Sequence, residues 1–102
     1  MIIQTKNGYP EMVLMGGCHV SLFHKTAEWL RLKMSVNFTN KKEEAEQIVW
    51  NFQFASVTLL LQYHQRTGIS VCPASMKEAT LEEMAAFKKF TETLQYSTTT
   101  VT

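Results

Sequence analysis

The segment from Lys41 to Thr67 constrains the fold most, because it contains the most apolar stretch of the chain. Asn40, directly before it, is a favourable N-cap residue, and Glu43 stands three residues later, where a capping box places an acid. Gly68, directly after it, is the residue type that commonly ends a helix. These signals predict one long central helix, about 40 Å at 1.5 Å per residue.

On a helical projection, this predicted central helix is apolar on two opposite sides, whereas an ordinary surface helix has one apolar stripe. The first side carries Ala45, Ile48, Val49, Phe52, Ser56, Leu59 and Tyr63. The opposite side carries Trp50, Phe54, Val57 and Leu61. Two interpretations stay open. Either the helix is sandwiched between a hairpin and the other helices, or one stripe is a homodimer interface with aromatic anchors.

The N-terminal residues have the pattern of a β-hairpin. The β-leaning run Ile2–Lys6 is followed at once by Asn7 and Gly8, which readily take the positive φ angles of a type I′ turn. A second apolar run, residues 12–15, ends at Gly16. Because a two-stranded hairpin is marginal in isolation, we expect it to pack on the helices or to pair with another sheet edge.

Two further segments, Ser21–Met34 and Thr80–Gln95, repeat apolar residues at three- and four-residue steps and predict flanking helices. The predicted inward-facing residues of the second are Leu81, Met84, Phe87, Phe90 and Leu94. The sequence therefore predicts a mostly helical α+β fold, in which an N-terminal β-hairpin packs on three helices with a long central helix. It also predicts one globular domain over residues 1–96 and a flexible tail over residues 97–102.

Composition and charge narrow the function classes. The 102 residues carry a net charge of +1, so the chain is neither a strongly basic nucleic-acid binder nor an acidic nucleic-acid mimic. Cys18 and Cys72 form no CxxC motif, and in a chain that can build its own core they indicate reduced thiols in the cytoplasm. We expect no membrane span, no metal and no other cofactor, because neither a long apolar run nor a convergent ligand set is visible.

The turn before the first flanking helix is the best candidate for a small-ligand site. Gly16 and Gly17 can present backbone N–H groups to a phosphate at the start of that helix, with Cys18, His19 and Lys25 beside them. The segment lacks the spacing of the known glycine-rich phosphate motifs, so an ordinary strand-to-helix turn is the alternative. An enzyme in which Cys18 is the nucleophile and a histidine is the base is a third hypothesis, but no orienting group is visible.

These features favour a non-enzymatic interaction module that regulates or inhibits a partner macromolecule, acting as a homodimer. Accessory proteins of bacteriophages and mobile elements are often of this type. We expect a protein partner rather than nucleic acid, and the predicted interface residues are Trp50, Phe54, Val57 and Leu61. The alternative function is a small-ligand or nucleotide-binding protein that uses the Gly16–Gly17 turn.

Overall fold

Six strands and two helices make up the part of the chain that a computed structural model describes, residues 2–6, 8–75 and 78–99. In chain order they are β1 (Ile2–Lys6), β2 (Tyr9–Met15), α1 (Val20–Met34), β3 (Phe38–Glu43), β4 (Gln47–Phe54), β5 (Val57–His64), β6 (Gly68–Pro73) and α2 (Leu81–Thr99). The strands form one antiparallel sheet in the order β1-β2-β6-β5-β4-β3. The fold is α+β but mostly sheet, and the prediction of a mostly helical fold with three helices is wrong.

The predicted central helix is absent, and strands take its place. Residues 41–67 contain the end of β3, all of β4 and β5, and the turn towards β6. Buried Ile48, Trp50 and Phe52 alternate along β4 with more exposed residues such as Asn51, which is the two-residue repeat of a half-buried strand. On a helical projection, residues two apart lie about 200° apart. One alternating strand face therefore appears as two opposite helical stripes, which is the physical origin of the error.

The turn between β4 and β5 gave no sequence signal. Ala55 and Ser56 have φ angles of 51° and 67°, which are characteristic of a type I′ turn, but neither is Gly, Asn or Asp. Asn40 and Gly68, which were predicted to flank the central helix, have positive φ angles but belong to strands. Asn40 lies within β3 at a φ of 45°, and Gly68 begins β6 at a φ of 91°.

The predicted N-terminal hairpin is confirmed. β1 and β2 pair in a continuous antiparallel register that ends with Lys6 opposite Tyr9, and Gly8 lies in the turn at a φ of 86°. Asn7, the other predicted turn residue, lies outside the described residues. β2 also pairs with β6, so the hairpin extends the sheet and β1 becomes an outermost strand.

The two predicted flanking helices are also confirmed, as α1 and α2. Thr80 caps α2, since its side-chain oxygen accepts a hydrogen bond from the Glu83 N–H at 3.1 Å. α2 runs past its predicted end, and residues 100–102 lie outside the described residues. The predicted limits of the domain, 1–96, and of the flexible tail, 97–102, stay predictions.

Both helices pack on the same face of the sheet and enclose the main core. Phe23 of α1 meets Trp50 of β4 edge-on with ring centroids 5.0 Å apart, and Phe90 of α2 lies 5.2 Å from Phe52. The other strand residues of this core are Met12, Ile48, Val57, Leu59, Leu61, Tyr63, Ile69 and Val71. The opposite face, which neither described helix covers, carries the smaller apolar cluster of Tyr9, Leu60 and Cys72.

Candidate functional site

The four residues of the predicted dimer stripe lie on the β4–β5 hairpin and point towards the helices. Trp50 stands opposite Leu61, and Phe54 stands opposite Val57. Three of them are buried, and half-buried Phe54 packs against Phe90 with ring centroids 5.2 Å apart. They are core residues of the described chain, and no two-sided helix presents them to a second copy. The homodimer itself stays a prediction.

The Gly16–Gly17 turn lies against the turn between β5 and β6. A Cβ atom at Gly17 would stand 3.1 Å from the Arg66 carbonyl oxygen, whereas one at Gly16 would meet no atom within 4 Å. The Tyr63 hydroxyl donates a hydrogen bond of 2.9 Å to the Cys18 carbonyl oxygen. The absence of a side chain at Gly17 therefore allows two backbone segments to approach closely.

His19 occupies the helix start at which the alternative hypothesis of a small-ligand site places a phosphate. Its Nδ1 atom accepts a hydrogen bond from the Ser21 N–H at 3.1 Å, and its carbonyl oxygen accepts one from the Leu22 N–H at 3.0 Å. Lys25 is exposed further along α1. Two N–H groups at this helix end are thus already bonded to His19. Small-ligand or nucleotide binding at this turn stays a prediction, and the cap geometry adds nothing to it.

Cys18 and Cys72 form no disulfide and lie in different environments. Burial raises the pKa of the half-buried Cys18 thiol, whereas a nucleophilic cysteine needs a lowered pKa. Cys72 is buried in the small apolar cluster, where the Gln62 amide Nε2 donates to its sulfur at 3.0 Å. The raised pKa of Cys18 does not support the hypothesis that its thiol is a nucleophile.

An apolar groove between the N-terminal hairpin and α2 is the feature that the sequence did not reveal. This β1–α2 groove has a volume of about 340 Å³. Its lining residues are Ile3, Pro10, Met84, Ala85, Phe87, Lys88 and Thr91. Two of the large apolar side chains are exposed to solvent, Ile3 by 49% and Met84 by 37%. Contiguous exposed apolar surface of this kind marks interaction sites in soluble proteins.

The floor of the groove is apolar even where the sequence has a hydroxyl group. Phe87 and Thr91 are buried, and the Thr91 Oγ1 atom donates to the Lys88 carbonyl oxygen at 2.8 Å. This hydroxyl is therefore satisfied within α2. Pro10 adds no backbone N–H to the opposite wall. Among the described lining residues Lys88 is the one that carries a charge, so the groove is suited to apolar side chains.

The first turn of α2 extends the apolar surface beyond the groove. Leu81 is 91% exposed and stands three residues before Met84, so both side chains lie on the same side of the helix. The Ser75 hydroxyl donates to the Glu83 carboxylate at 3.1 Å, which fixes this end of α2. The prediction that Leu81 and Met84 face the core is wrong, because Leu81 is exposed and Met84 lines the groove.

The groove borders β1, and the two outer edges of the sheet differ. At the β3 edge the register shifts between Thr39 and Lys42, and Asn40 within that shift has a positive φ. Such bulges, together with exposed lysines, hinder pairing with a further strand. β1 pairs with β2 without a register shift, and its one charged residue is Lys6 at its end. Within the described part of the chain, β1 is therefore the edge that is open to another strand.

A polar pocket of about 200 Å³ lies on the uncovered face of the sheet. It is lined by Glu11, Gln62, Tyr63, His64, Thr67, Gly68 and Ser70. The Ser70 hydroxyl donates to the buried Glu11 carboxylate at 3.2 Å, and the Arg66 N–H donates to the His64 Nδ1 atom at 3.0 Å. Burial, followed by the nearby Cys72 and Glu11, raises the pKa of the adjacent Tyr9 phenol. The Ser70–Glu11 hydrogen bond joins β6 to β2, so it contributes to the sheet itself.

Other kinds of site are not apparent in the described part of the chain. It holds no group of three or more histidine, cysteine or acidic side chains placed to bind a metal. Neither described helix combines the length and the apolarity needed to cross a bilayer. Comparisons of the chain with protein-family models, with curated proteins and with solved structures give no match. A function must therefore be argued from the β1–α2 groove and the sheet edges.

Proposed function

We propose that the protein is a non-enzymatic interaction module that binds another polypeptide along β1 and in the β1–α2 groove. The observation that carries this proposal is the position of the exposed apolar residues Ile3 and Met84 beside the unblocked edge strand. In strand addition, backbone hydrogen bonds supply affinity and side-chain pockets supply specificity. We place this binding in the cytoplasm, because two widely spaced cysteines without a CxxC motif are typical of a chain with reduced thiols.

The groove also defines the chemistry of the segment it would bind. A strand added to β1 places alternate side chains on the helix side of the sheet, where the groove lies. Those side chains must be apolar, because the floor offers Phe87 and the methyl group of Thr91. Lys88 at the rim favours an acidic residue beside them, although an exposed charge pair adds little affinity.

Selection from a library of displayed peptides tests the proposal without knowledge of a natural partner. The wild-type protein is immobilised at low density, so that copies do not meet, and the recovered peptides are measured against two variants. Met84→Glu places a charge in the groove, whereas Leu32→Glu places the same charge at a 66% exposed leucine on α1. We expect Met84→Glu to weaken binding at least about tenfold and Leu32→Glu to leave it unchanged.

The peptides themselves provide a second readout. We expect alternating apolar residues in the recovered sequences and protection of β1 amide hydrogens from exchange when a peptide is bound. Recovery of peptides that bind Met84→Glu as tightly as the wild type, or of no binder at all, contradicts the proposal.

A further inference from the structure

We infer that the polypeptide bound at the β1–α2 groove is a second copy of this chain, paired antiparallel through β1 about a two-fold axis. The inference rests on the proposed function, since it names the partner of the same surface. It places the dimer interface at β1 and α2 and leaves the buried hairpin β4–β5 within each copy.

Antiparallel pairing of β1 with its own copy makes the exposed surface self-complementary. The two-fold axis of such a pair is perpendicular to the sheet, so opposed residues lie on the same face and both pairs of helices lie on the same side. Ile3 and Met84 of one copy then face Ile3 and Met84 of the other across the axis. Leu81, on the same side of α2, can cover further apolar surface. The exposed residues of one copy are thus buried by the same residues of the other.

The difference between the two edges explains why this assembly stops at two copies. Pairing through β1 removes the open edge of both copies and leaves β3 at both ends of the doubled sheet. β3 carries the register shift between Thr39 and Lys42 and a run of exposed side chains, which hinder further pairing. A strand from an unrelated protein would need its own means of closing the sheet. A second copy closes the sheet with its own β3, which becomes the new outer edge.

The length of β1 shows that backbone pairing alone is not enough. Five residues span about 17 Å at 3.4 Å per residue, which allows only a few interchain hydrogen bonds. A specific interface needs roughly 1,000 Å² or more of buried surface. The groove and the exposed first turn of α2 must supply the rest. We therefore expect a dimer whose population depends on protein concentration and on the apolar character of residue 84.

Backbone geometry provides a variant that blocks the edge without changing the groove. Lys6 stands opposite Tyr9 across a two-residue turn, and the residues that flank such a turn form a hydrogen-bonded pair. The N–H groups of alternate residues, Ile3 and Thr5, are therefore expected to point away from β2. Thr5→Pro removes one outward N–H and keeps the hydrogen bonds to β2. Gln4→Pro removes an N–H that points to β2, so it should weaken the hairpin instead.

Sedimentation equilibrium over a range of concentrations is the test. The wild-type mass should rise with concentration towards twice 11.7 kDa. Met84→Glu and Thr5→Pro should stay at the monomer mass with wild-type circular dichroism spectra, and Leu32→Glu should dimerise as the wild type does. A wild-type mass of 11.7 kDa at every concentration overturns the inference. So does a dimer that both variants leave intact, or one that Leu32→Glu abolishes.

The outcome is separable from that of the peptide selection. If the wild-type protein is monomeric but the selected peptides depend on Met84, the second copy is the wrong partner and the interaction module stands. If the protein dimerises through β1 and no peptide binds the groove, the dimer stands and the proposed binding of other polypeptides fails.

Discussion

Gly68 is the position at which a single methyl group should do the most damage. It begins β6 at a φ of 91°, a conformation that residues with a side chain rarely adopt. An ideal Cβ atom there would stand 2.5 Å from the carbonyl carbon and oxygen of Gly16, and closer still to the carbonyl oxygen of Met15. All three are backbone atoms, so no flexible side chain can move aside.

The magnitude follows from these two effects. The backbone strain of a residue with a side chain in a left-handed conformation is about 1–2 kcal/mol. Relief of the overlap requires the end of β2 to move away from β6, which breaks the pairing of Met15 with Ile69, a fully buried residue. Loss of a hydrogen bond and of packing around Ile69 brings the expected cost of Gly68→Ala to about 3–5 kcal/mol. A domain with a total stability of about 5–15 kcal/mol would be left marginal.

Urea unfolding followed by circular dichroism measures this cost, and the neighbouring glycines supply the controls. Gly16→Ala meets no atom within 4 Å, so its free energy of unfolding should stay within about 1 kcal/mol of the wild type. Gly17→Ala would meet the Arg66 carbonyl oxygen at 3.1 Å and should give an intermediate loss. Gly68→Ala with near wild-type stability, or equal losses at all three positions, would refute the reasoning.

Three further predictions concern the core, a turn and a thiol. Leu61→Ala should lower the free energy of unfolding by about 2–5 kcal/mol, because the side chain is fully buried, and should leave the sedimentation mass unchanged; a changed mass with intact stability would restore Leu61 as an interface residue. Replacing Ala55 and Ser56 by Asn and Gly should raise the urea midpoint by an amount worth about 0.5–1 kcal/mol, since both positions have positive φ, and a lower midpoint would contradict this. Burial raises the pKa of the Cys18 thiol, so its alkylation by iodoacetamide should reach half of its maximal rate at a higher pH than the alkylation of a small thiol does. A lower midpoint pH for Cys18 would support the hypothesis that it is a nucleophile.

The elements with clear local signals were predictable, and the centre of the chain was not. Residues flanking the Asn7–Gly8 dipeptide pair as expected, and Thr80 and Glu83 cap α2 as expected. In the central segment, the alternation of a half-buried strand also fits the pattern of a two-sided helix. The turn at Ala55 and Ser56 lacks the residue types that mark a type I′ turn, so nothing in the local sequence separated β4 from β5.

The groove depends on packing that a local pattern does not contain. Met84 has the spacing of a core residue on α2, and only the position of the hairpin decides that it faces a gap while Phe87 is buried. Ile3 has the same ambiguity on an edge strand. The sequence did contain one usable signal. A marginal hairpin needs a further sheet edge or a helix, and the edge of β6 meets this requirement.

The strand order also has a kinetic consequence. From β3 to β6, each strand pairs with the next strand in the sequence. The hairpin instead pairs with β6, from which α1 and three strands separate it in the sequence. The hydrogen bond between Glu11 and Ser70 joins residues that are 59 positions apart. Contacts of such separation carry a loop-closure cost and form slowly. Until the hairpin docks, β6 is itself an exposed edge that can pair with other chains. Because synthesis begins at the N-terminus, the residues of β1 and β2 are already made when β6 emerges, and the chain supplies in advance the strand that covers its own most vulnerable edge.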